Sequence, residues 1–146
     1  MPRLLILADY APSVVARASN APLGYAEMMQ KLHSTAYDRS KYLLKHFGDL
    51  GYEAIELAPN APLIQETWAR ENNISLNKPL ISHEKQRFGR LAINKLSNTH
   101  VLGSLSPQLQ FIALAQIKAL RPDVILATNV TAFSPSVLRE MRQYCR

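Results

Sequence analysis

Asp9 closes the apolar run RLLILAD and Tyr10 follows it, Asn60 follows the run GYEAIELA, and Thr128, Asn129 and Thr131 follow DVILA. If these runs are parallel strands, all six residues stand at one edge of the sheet, where open parallel sheets bind ligands. A carboxylate there can act as a general base or orient a hydroxyl. Hydroxyl and amide groups beside it suit the hydroxyls of a sugar. Asp9 is therefore the catalytic candidate, and Tyr10, Asn60, Thr128, Asn129 and Thr131 are the substrate-binding candidates. Four of them also have an ordinary reading. Asp9 can organise its turn by accepting backbone N–H groups, Asn60 can cap the following helix, and Thr128 and Asn129 are common loop formers. The crevice exists only if the first strand lies between the second and the third.

The elements that must position these residues follow from the apolar spacing. RLLILAD reads as a strand buried on both faces. A loop containing Pro12 and Asn20 comes next, then a helix over APLGYAEMMQKLHS. Ser34 is placed to cap a further helix carrying Tyr37, Tyr42, Leu43, Leu44, Phe47 and Leu50, with Gly51 as its stop. GYEAIELA is the second strand. Asn60 opens a helix in which Leu63, Ile64, Thr67 and Trp68 form one stripe, with Trp68 read as core or docking surface rather than a sugar platform. Over 82–98 a basic helix has Ser82 and Lys85 in cap-like places and Phe88, Leu91, Ile93 and Leu96 as apolar points, weakened by Gly89. Ser106 and Pro107 open a periodic helix that runs to Pro122. DVILAT is the third strand, and Ser134 and Pro135 open a last helix with Val137, Leu138 and Met141. Strands alternating with helices predict an α/β, Rossmann-like three-layer fold with a small parallel sheet. With 146 residues and 47% hydrophobic content the chain suits a single domain. Its last helix has no strand to return to, so the end at Arg146 reads as early.

Composition and missing motifs narrow the chemistry. The five glycines, Gly24, Gly48, Gly51, Gly89 and Gly103, form neither G-x-G-x-x-G nor a Walker A loop, which argues against a nucleotide cradle. There is no G-x-S-x-G elbow. Cys145 is the only cysteine, so an internal disulfide and a thiolate cage are excluded. His33, His46, His83 and His100 lack metal-ligand spacing, so neither a metal nor a cofactor is expected in this chain. No apolar run reaches the roughly 18 residues of a membrane span, and Asp9 interrupts the only leader-like stretch. The expected location is cytoplasmic. The net charge of +6 comes from 78–121, where Lys78, Lys85, Arg87, Arg90, Lys95, Lys118 and Arg121 face only Glu84. Such a surface suits a neighbouring domain or peripheral contact with an anionic surface. Nucleic acid is disfavoured, because Phe88 and Phe111 are the region's only rings and no groove-reading motif is present.

Three stretches also resemble a known family: YAEMMQKLHSTAYDRSKYLLKHFGDLGYEAIELAPNAPLIQETWARE, LAQIKALRPDVILATN and FSPSVLREMR. Together they are similar to the amino-terminal half of spore-maturation-protein-like glycosyltransferases of the GT-B class. The similarity covers most of the chain outside Asn77–Leu102 and includes no catalytic signature. Tyr37, Asn60 and Trp68 match its pattern without an assigned role. The resemblance implies a GT-B-type N-terminal domain over 1–146 that meets the sugar acceptor. It also implies a donor-binding domain, absent here, supplied in cis or in trans, without which the chain is inactive. The alternative is a free-standing Rossmann-like binding or interaction module without catalysis.

Overall fold

The computed structural model describes residues 1–19, 23–35, 39–77, 80 and 104–145. Its sheet is built on β1 (Arg3–Leu7), which pairs in parallel with β2 (Glu53–Leu57) on one side and β3 (Val124–Ala127) on the other. The strand order is β2-β1-β3. Leu5 faces Ile55 and Ile125, and Leu7 faces Leu57 and Ala127. The continuous apolar run of β1 has its reason in this position, since Leu4, Leu5, Ile6 and Leu7 are all buried. Each such side chain contributes about 1.5–3 kcal/mol when removed from water.

Alternation divides β1 between two cores. Leu4, Ile6 and Ala8 pack with α1 (Pro12–Ala18), α2 (Tyr25–Thr35) and α3 (Arg39–Asp49), joined by Ile64 of α4 (Pro62–Glu71). Leu5 and Leu7 pack with α5 (Pro107–Leu120) and α6 (Pro135–Arg142). Helices therefore cover both faces. The connection from β1 to β2 and the one from β2 to β3 run in opposite directions along the sheet, so they must cross on opposite faces if both are right-handed. The result is an α/β layout with a small open parallel sheet, compatible with a Rossmann-like arrangement.

Several local expectations need correction. Residues 12–18 form α1 rather than a loop: Pro12 supplies a helix-ready φ at the first position, and Val15 and Ala18, three apart, are buried. Ser34 lies inside α2, where its hydroxyl donates to the Lys31 carbonyl at 2.8 Å, five residues ahead of the start of α3 at Arg39. The helix expected over 21–34 begins at Tyr25, leaving Gly24 outside it. In α3, Leu43, Leu44 and Phe47 pack on the sheet, while Tyr42 is exposed, as is Leu50 just past the end of the helix. Gly51 ends that helix at φ 87°, with the Tyr52 N–H bonded to the Phe47 carbonyl at 3.0 Å. Of the α4 stripe, Ile64 and Thr67 are buried and Trp68 is half-buried. Asn20, Tyr37 and the basic helix over 82–98 lie outside the described residues.

Other local signals hold. Ser106 Oγ accepts from Leu109 N at 3.3 Å, and Ser134 Oγ accepts from Val137 N at 3.4 Å, each ahead of a proline at the first turn. Lys118 of α5 pairs with Glu140 of α6 at 2.9 Å and lies over the Tyr144 ring. The lower end of β1 is pinned on both sides: its Arg3 N–H donates to Asp123 Oδ2 at 2.6 Å, and its Nε meets Glu53 at 3.0 Å. No helix among the described residues is long and apolar enough to cross a membrane.

Replacing Leu5 by Ala, at the junction of all three strands, should destabilise the chain by about 2–5 kcal/mol. Tyr42→Ala, on the exposed side of α3, should stay within about 0.5 kcal/mol in the same urea titration. Tyr25, which accepts a bond from Gln116 Nε2 at 3.4 Å, supplies a pH signature. Burial pushes its phenol up from 10.0 to about 12, with Gln116 opposing and the Glu71 charge assisting. The folded chain then holds this proton more tightly than the unfolded chain, so the contribution is complete below pH 10.0 and falls as pH rises toward about 12. Tyrosinate absorbance, compared between the wild type and Tyr25→Phe, checks this.

Candidate functional site

The ladder continues past the strands at the upper edge: Ala8 N donates to Leu57 O and Thr128 N to Leu7 O, each at 3.0 Å. The chain leaving β1 therefore emerges between the ends of β2 and β3. Strand order reverses at this point, which is where parallel sheets open a crevice. All six residues selected from the sequence meet here.

On the β3 side, Thr128 Oγ1 accepts from Asp9 N at 3.3 Å and donates to Leu7 O at 3.2 Å. Asn129 Nδ2 donates to Asp9 Oδ2 at 2.7 Å, and Thr131 Oγ1 donates to Asn129 Oδ1 at 2.7 Å. The Asp9 carboxylate thus ends a chain of two directed side-chain bonds. Thr128 and Thr131 are exposed, whereas Asp9 and Asn129 are half-buried. The short turn Val130–Ala132 holds Thr131 above Asn129, and the Ala132 carbonyl ties it to Leu105 N at 2.8 Å.

On the β2 side, Asn60 does not cap α4. The residue at that position is Ala61, which makes no side-chain cap bond. The Asn60 amide instead bridges the main chain of Tyr10: its Oδ1 accepts from Tyr10 N at 3.1 Å and its Nδ2 donates to Tyr10 O at 2.8 Å. Asn60 acts here as a clasp between the exits of β1 and β2. The Tyr10 side chain is buried, and its hydroxyl points into the protein.

That hydroxyl ends in a polar cluster not selected from the sequence. It donates to Glu56 Oε1, and Ser40 Oγ lies 2.6 Å from it and 3.1 Å from the same carboxylate oxygen. Glu56 is 5% exposed. Its Oε2 faces His33 Nε2 at 3.8 Å, and neither atom has a hydrogen-bond partner among the described residues. The carboxylate stands between Ser40 and the His33 imidazole, so these residues do not make the serine–histidine contact of a nucleophilic triad. The available signal was a Glu in a strand whose neighbours Leu57 and Ala58 are buried; such a carboxylate must be hydrogen-bonded from within.

The crevice presents a carboxylate, an amide and hydroxyls, a set suited to a neutral polyhydroxylated ligand. The turn from β1 to α1, ADYAP, contains no glycine to let the backbone approach a pyrophosphate. Among the described residues no group of three or more His, Cys, Asp or Glu side chains could hold a metal ion.

The clasp and the cap assign different tolerances to Asn60. Asp serves well as a cap but cannot donate to the Tyr10 carbonyl, so Asn60→Asp should cost about 1–3 kcal/mol by chemical denaturation. An unchanged midpoint would return Asn60 to a capping role. Comparison with protein-family models, with curated proteins and with solved structures yields no match to this chain.

Proposed function

We propose that this chain is the acceptor-side domain of a nucleotide-sugar-dependent glycosyltransferase of the GT-B class, working with a donor-binding domain in the same or a separate polypeptide. The observation that carries the reading is the bonded series Thr131, Asn129, Asp9 at the crevice where strand order reverses. In this reading Asp9 takes the proton of the acceptor hydroxyl as its oxygen bonds to the anomeric carbon of the donor sugar and the nucleotide diphosphate leaves. Thr131 and Asn129 bond neighbouring hydroxyls of the acceptor. The glycine-free β1–α1 turn agrees with donor phosphates held by another domain, and the family resemblance of the three sequence stretches points the same way.

Titration of the 15N-labelled chain with glucose and N-acetylglucosamine tests this. Shifts should be confined to residue 9 and residues 128–131. Thr131→Ala should weaken binding by about 2- to 10-fold, the loss of one hydrogen bond. In an enzyme containing the donor-binding domain, Asp9→Asn should lower turnover at least about 100-fold. Unchanged turnover would remove Asp9 as the base, and a response to nucleotide diphosphate but to neither sugar would overturn the acceptor-side reading.

A further inference from the structure

We infer that Glu56 is a positioning residue for the crevice: through the Tyr10 hydroxyl it holds the chain leaving β1 so that the Asp9 carboxylate meets Asn129. Glu56 sits on β2 with its side chain on the same face as Ile6, its register partner on β1. An apolar side chain would pack there without the penalty of burying a carboxylate. The bonds of Glu56 Oε1 run to Tyr10, the residue after Asp9, and to Ser40 at the start of α3. They support the loop that carries Asp9, not the sheet ladder.

Tyr10 is thereby held at three points, its hydroxyl by Glu56 and its main-chain N–H and carbonyl by Asn60. Asp9 is held from the opposite side by Thr128 and Asn129. Two sets of bonds, one anchored on β2 and one following β3, converge on two consecutive residues. Restraint from both sides fixes a side chain to the narrow range of positions that catalysis or binding requires. The inference rests on the acceptor-side reading only for what Asp9 does; the positioning itself is independent of it.

The side-chain amide of Asn129 reports the Asp9 contact directly in a 15N–1H spectrum, with its signals assigned by their loss in Asn129→Ala. In the wild-type chain the proton bonded to Asp9 should be protected from exchange with water. Tyr10→Phe keeps the buried ring and removes only the hydroxyl, and Glu56→Gln keeps the shape and removes the charge. Both should speed that exchange about tenfold, corresponding to about 1.4 kcal/mol. Ile64→Val, in the same core but outside the network, should leave it unchanged even where its urea midpoint falls comparably. Unchanged Asn129 exchange in folded Tyr10→Phe and Glu56→Gln, or equal acceleration in Ile64→Val, would overturn the inference. The sugar titration separates the two readings: if no saccharide binds but Asn129 responds as stated, the acceptor role fails and the positioning role stands.

Discussion

Strand β1 is bonded on both edges and buried on both faces, and every other placement follows from that double constraint. A central strand needs two neighbours, and parallel neighbours need long connections that pass over the sheet. One connection carries α1, α2 and α3, and the chain between β2 and β3 carries α4 and α5. Because β1 separates its two partners, the chain leaving it comes out between their ends. The crevice is a consequence of strand order and would not arise if β1 lay at an edge.

Polar groups at that crevice divide by what they bond. Asn60 and Thr128 mainly satisfy backbone atoms, and in doing so they close the gaps between neighbouring strand exits. Asn129 and Thr131 bond side chains, ending on the Asp9 carboxylate. The first pair builds the frame and the second aims a functional group. Glu56 adds a buried brace on the far side of Tyr10. Burial makes such a brace demanding, because an incompletely bonded carboxylate in an apolar layer is costly. Its Oε2, opposite His33 and without a hydrogen-bond partner among the described residues, marks where that demand is least well met.

The helices differ in how they are held. Helix α5 presents Leu109, Ile112, Ala113, Gln116 and Ile117 to the interior and is capped by Ser106, so local and tertiary preferences agree. Helix α6 buries Met141 and is tied to α5 by the Lys118–Glu140 pair. Strand β3 is the less enclosed neighbour of β1: its Ile125 and Ala127 turn to the α5 and α6 core, while Val124 and Leu126 are exposed on the other face. Among the described residues the asymmetry comes from helix placement, since α1–α3 pack over β1 and β2 rather than over that side of β3.

The sequence by itself pointed to the strands, because short apolar runs such as RLLILAD, bounded by turn residues and too short for an ordinary helix, fit a buried parallel position. It also determined the helix starts at Ser106 and Ser134, where a hydroxyl, a proline and a periodic stripe act within a few residues of one another. It placed Asp9, Asn129 and Thr131 after strand ends, on the condition that β1 be central. Tertiary structure alone decided that condition, because strand order depends on contacts more than a hundred residues apart. It also turned Asn60 from a cap into a clasp, Ser34 from a cap into a helix interior, and Tyr10 from a crevice residue into an anchor on Glu56. Short polar side chains can bond a local backbone or a distant one with similar strength. Which they do depends on what the fold brings within about 3 Å, and spacing along the chain does not carry that information.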